Sequence, residues 1–69
     1  MKLKLIINGD PIVFAEKQGH ISQLLSHLQM QQRIVIVELN GNIISKSAYE
    51  TTLLSDGDRI EIVHFVGGG

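Results

Sequence analysis

Three histidines, His20, His27 and His64, are the side chains best suited to bind a metal or move a proton near neutral pH. His20 and His27 stand seven residues apart, about two turns of a helix, and no acidic cluster lies at metal-ligand spacing beside them. His64 alternates with Ile62 and Val66, which places it at the rim of a core and not in a ligand set. Ser22, Ser26, Ser45, Ser47 and Ser55 lack the G-x-S-x-G setting of an activated nucleophile. Asp56 and Asp58 flank Gly57 in "SDGD", where aspartates normally bond to nearby backbone. "NGD", "NGN" and "DGD" read as isolated turns, so no glycine-rich phosphate loop is present. No paired base and nucleophile is left among the side chains. The chain is therefore expected not to be an enzyme and to hold no metal or cofactor of its own.

One reactive group remains, the α-carboxylate of Gly69 at the end of "IVHFVGGG". A carboxylate resists nucleophiles because it carries full charge and no leaving group, so using it requires activation, most simply by ATP to an acyl adenylate. Gly67 and Gly68 suit that task, since residues without Cβ can thread a narrow channel and adopt whatever backbone angles it imposes. Ordering three such residues costs roughly 3–6 kcal/mol. Three hydrogen bonds at about 1 kcal/mol each do not reliably offset it. A second binding surface must supply the difference.

The elements that must position this terminus fit one small domain of 69 residues with net charge −1 and no cysteine. Such a chain has at most one core. Its charge offers no footprint for nucleic acid. Its longest apolar runs, such as "IVIV", are far too short to cross a membrane. A cytoplasmic location is the default expectation. "KLKLIIN" alternates Leu3, Leu5 and Ile7 against Lys2 and Lys4, the mark of a strand with one wet face. Asn8 and Gly9 turn the chain into "IVFA", an edge strand that tolerates the nearby Pro11. Ile21, Leu24, Leu25 and Leu28 follow helical spacing over about three turns, with only His20 or Gly19 available as a cap. "RIVIVELNG" is a third strand, "NIIS" a short fourth and "RIEIVHFV" the last, with "KSAYETTLL" read as one helical turn and an extended piece.

Two strands before and several after a single helix predict an α+β fold, a mixed sheet of four to five strands wrapped over that helix. The division expected is a domain over residues 1–66 and a flexible glycine tail over residues 67–69. With Val35, Val37, Leu39, Ile60 and Ile62 facing the helix, Ile34, Ile36, Val63 and Phe65 would form an apolar patch on the open face, suited to a partner.

"LKLIINGD", "ISQLLSHL", "VELNGNII" and "LLSDGDRIEIVHFVGGG" together span the chain, and it resembles the ubiquitin-like β-grasp sulfur carriers, most closely those of thiamine biosynthesis. The resemblance implies a β-grasp fold in which the final strand lies between the first and third. It implies that Gly69, behind Gly67 and Gly68, is adenylated by an E1-like adenylyltransferase, which consumes ATP. The carboxylate then becomes a thiocarboxylate with sulfur from a persulfide donor such as a cysteine desulfurase. That group would donate its sulfur to thiazole synthase. His20 stands where the family often has a capping hydroxyl. The small subunit of molybdopterin synthase shares the fold and the Gly-Gly end, although it often carries proline near the position of Val66. A ubiquitin-like protein modifier and a non-covalent β-grasp binding module are further alternatives.

Overall fold

The computed structural model describes residues 2–15 and 19–64. Strands β1 (Leu3–Ile7) and β2 (Asp10–Phe14) form a hairpin, helix α1 (Ile21–His27) follows, and β3 (Val35–Leu39) pairs with β4 (Asn42–Ile44). A short 3-10 helix (Lys46–Ala48) leads to β5 (Arg59–His64). The five strands form one mixed sheet in the order β2-β1-β5-β3-β4, with β5 parallel to β1 and antiparallel to β3. This is the expected α+β arrangement: the last strand of the chain is the middle strand of the sheet.

Alternation decides which face is dry. Leu3, Leu5 and Ile7 of β1, Phe14 of β2, Val37 of β3 and Ile60 and Ile62 of β5 are buried, and they meet Ile21, Leu24 and Leu25 of the helix and Leu54. Val35, Leu39, Ile44 and Leu28 pack partly buried around them. No polar side chain among the described residues is buried as a whole.

Two Asn-Gly turns set the register of both hairpins. Asn8 (φ 50°) and Gly9 (φ 86°) join β1 to β2, and Asn40 (φ 50°) and Gly41 (φ 89°) join β3 to β4. Positive φ at both central residues is the geometry whose twist matches paired strands.

The helix is capped where expected and stops early. His20 is its N-cap, with an extended backbone, and its N–H donates to Oε1 of Gln23 three residues on (3.0 Å). The C-terminus arrives after two turns and not three. Leu28 is the C-cap, and Gln29 adopts φ 61° beyond it. The Met30 N–H donates to the Leu25 carbonyl (2.7 Å) and the Gln29 N–H to that of Ser26 (3.0 Å). These two bonds make a Schellman stop, usually built on glycine. Leu28 continues the apolar spacing, which is why periodicity alone carried the helix too far.

Candidate functional site

The face of the sheet opposite α1 carries the side chains that alternate with the core. On it, Ile36 of β3 stands directly opposite Val63 of β5, 40% and 55% exposed. One rung further from the end of β5, Glu38 faces Glu61. Ile43 of β4 pairs with Glu38 and is 71% exposed, so it joins the same surface. The predicted patch is thus present in its Ile36–Val63 pair. Ile34 lies one residue before β3, highly exposed, at the lip of an open groove shared with Met30, Arg33 and Tyr49. Desolvation by partial burial raises the pKa of the Tyr49 phenol above its ordinary value. Phe65, Gly67, Gly68 and Gly69 lie outside the described residues.

Ile43 was missed as a patch residue because "NIIS" was read only as a marginal strand. Its signal is alternation: Ile44 pairs with the buried Val37, so Ile43 must face the other way.

β5 is held from both sides. β1 pairs with it only at Ile6–Arg59 and Ile7–Ile60, supported by the Ile6 N–H to the Asp58 carbonyl and the Asn8 N–H to the Ile60 carbonyl, each 2.9 Å. On the other side β3 follows β5 as far as Val35–His64. At the start of β5, Oδ1 of Asn40 accepts the Arg59 N–H (3.0 Å) and its amide donates to Asp58 (3.0 Å). Of the "SDGD" aspartates, Asp58 bonds locally as expected, whereas Asp56 reaches Lys4, 52 positions away in the chain. Asp58 accepts the Ser55 N–H and Asp56 the Lys4 N–H, both at 2.7 Å.

The histidines do not converge. His20 Nδ1 lies 2.9 Å from Ser22 Oγ, and the His27 and Phe14 rings meet at a steep angle with centroids 5.4 Å apart. His64 is partly buried at the core's rim, its Nδ1 shielded and without a hydrogen-bond partner among the described residues. Nor do the described residues contain a group of three or more His, Asp or Glu able to hold a metal. No described helix is long and apolar enough to cross a membrane.

The described residues thus present a partly apolar open sheet face and no converging set of catalytic side chains. The model of the ThiS family matches residues 5–69. The chain belongs to the ThiS family. It is 48% identical over 65 residues to the sulfur carrier protein ThiS of Bacillus subtilis, covering 94% of this chain and 98% of that one. The crystal structure of the thiamine biosynthesis protein ThiS from Geobacter metallireducens superposes with a TM-score of 0.78 at 38% identity, covering all of both chains. A protein named thiazole synthase from Paramagnetospirillum magneticum is 42% identical over 67 residues, 97% of this chain but only 20% of that longer one.

This ThiS-family chain is a sulfur carrier of thiamine biosynthesis, serving formation of the thiazole, and not a catalyst in its own right. Carriers of the family typically act with an adenylyltransferase and a thiazole synthase.

Proposed function

We propose that the carboxylate of Gly69 is the sulfur-bearing group and that the chain docks through the open face of β3 and β5. A carboxylate oxygen attacks the α-phosphorus of ATP on an E1-like adenylyltransferase, forming the acyl adenylate and releasing pyrophosphate. The terminal sulfur of a persulfide donor, a cysteine desulfurase or similar protein, attacks the acyl carbon and expels AMP. A thiol then attacks the donor-side sulfur of the resulting acyl disulfide, leaving the thiocarboxylate and forming a disulfide. Thiazole synthase accepts the sulfur.

The exposed Ile36–Val63 rung carries this reading, because it places apolar surface on the strand that leads toward the glycines. Burying what remains exposed of the two side chains contributes about 1 kcal/mol each. Ile43 extends the surface, and alternation in the sequence would add Ile34 and Phe65 to it. That is of the order needed against the cost of ordering Gly67–Gly69. Gly69 is the fifth residue after His64, so the carboxylate reaches at most about 18 Å beyond the end of β5. The partner's reaction centre must lie within that distance of the docking face. Thiazole synthase as a partner is supported by the protein of that name which contains a segment similar to this chain. The division into a folded domain to residue 66 and a flexible tail belongs to the same reading. So does a cytoplasmic location, where ATP is at hand and thiols stay reduced.

Labelled persulfide sulfur tests this sequence of steps. Supplied with the adenylating enzyme, ATP and a thiol, the label should appear on the chain first, and in the thiazole only after thiazole synthase and its carbon substrates are added. Label entering the thiazole at an equal rate without this chain contradicts the proposal.

A further inference from the structure

β1 and β5 run side by side for only two paired residues before β1 turns away at Asn8, while β5 continues to His64. Past that divergence the β1 side of β5 would lose its partner. The Asn8 side chain takes the vacated place. Its Oδ1 accepts the Ile62 N–H (2.7 Å) and its Nδ2 donates to the Ile62 carbonyl (3.1 Å). In a continued parallel ladder these two bonds would have come from the carbonyl of one residue of β1 and the N–H of the residue two further on, so the single amide satisfies both backbone groups of Ile62 after the strand has left it. The positive φ of Asn8 (50°) allows both at once: the main chain enters the turn while the side chain stays with β5.

We propose that Asn8 is a positioning residue for the sulfur-carrying terminus. By holding Ile62 from the side opposite β3, it fixes where the chain leaves the sheet relative to the docking pair Ile36–Val63, the second member of which is the next residue. The inference rests on the reading of Gly69 as the activated group. Without the amide, the end of β5 hangs on β3 alone, and the residues from Ile62 onward join the segment that must be ordered when the terminus enters a partner. Loosening equivalent to one further residue to be ordered on binding weakens it by about 5- to 30-fold.

The fold contains its own control. Asn40 occupies the same turn position with the same φ of 50° and also bonds β5, but at Arg59, ten residues before Gly69. Asn8→Gly and Asn40→Gly each remove one side-chain amide from a backbone conformation that glycine adopts freely. A merely structural role lowers the amount of active chain in both variants alike. A positioning role separates them.

The test measures ATP-dependent pyrophosphate release by the adenylating enzyme against concentration of the full-length chain, together with amide hydrogen exchange in the free chain. Asn8→Gly should raise KM about 10-fold, with kcat within about twofold of wild type, and should speed exchange at Ile62 and His64. Asn40→Gly should leave KM and those amides unchanged. Asn8→Asp keeps the acceptor for the Ile62 N–H and loses the donor. Its KM should fall between, and it replaces Asn8→Gly should that variant not fold. Wild-type KM and wild-type exchange in the folded Asn8 variant overturn the inference, as does an equal rise in KM for the Asn40 variant. A wild-type chain that supports no pyrophosphate release overturns the reading of Gly69 instead, and the exchange data then decide the clamp on their own.

Discussion

Ile36 and Val63 face each other across the β3–β5 ladder on the side of the sheet away from the helix, both in contact with solvent, while their neighbours Val37 and Ile62 form the next rung inside the core. One strand thus serves two surfaces with adjacent residues. Val63→Ala should weaken binding to the adenylating enzyme or to thiazole synthase by about 2- to 5-fold, or about 0.5–1 kcal/mol. The free protein should lose less than about 1 kcal/mol of stability. Ile62→Ala should do the reverse, costing about 2–5 kcal/mol of stability because a 4%-exposed side chain leaves a cavity. A denaturant melt and a binding titration on both variants check this. Equal stability losses would remove the distinction between the faces.

Glu38 and Glu61 are placed directly opposite each other, and like charges so placed destabilise a sheet. Glu61→Gln should therefore stabilise the free chain by about 0.2–1 kcal/mol at low ionic strength. Added salt should shrink the gain, since screening already weakens the repulsion. A loss of stability in urea melts would show that the pair is held by something other than its mutual repulsion.

Gln29 stops the helix in a left-handed conformation that disfavours any side chain. Gln29→Gly should raise stability by about 0.5–1 kcal/mol, where 1 kcal/mol corresponds to roughly 4–8 °C in Tm for a domain of this size. Calorimetry decides it, and a lowered Tm would mean that the Gln29 side chain contributes more than its backbone strain costs.

The helix stop and the Asn8 clamp show where a linear reading of this chain ends. Period-2 alternation placed Leu3, Leu5, Ile7, Val37, Ile60 and Ile62 in the core and Ile36 and Val63 outside it. The parity of a strand is a local property, written into every second residue. The two Asn-Gly turns were legible for the same reason. The bonds from Asn8 to Ile62 join residues 54 positions apart. They depend on two strands meeting in parallel, which no spacing within either strand encodes. The Schellman stop was hidden because glutamine gives no sign of left-handed geometry. The terminal glycines were singled out by elimination, from side chains that offer no paired base and nucleophile, and they lie outside the described residues.

The central claim is that sulfur is carried on the carboxylate of Gly69. Its most direct test is intact and C-terminal-peptide mass spectrometry of the full-length chain and of a chain lacking Gly69, each incubated with the adenylating enzyme, ATP, a persulfide donor and a thiol. Removing Gly69 withdraws the carboxylate by about 3.3 Å, and even about 1 Å of misplacement defeats catalysis. The full-length chain should gain the difference between a sulfur and an oxygen atom, confined to the peptide ending in Gly69, and the shortened chain should gain nothing. An equal gain in the shortened chain, or a gain on any other peptide, would contradict the account.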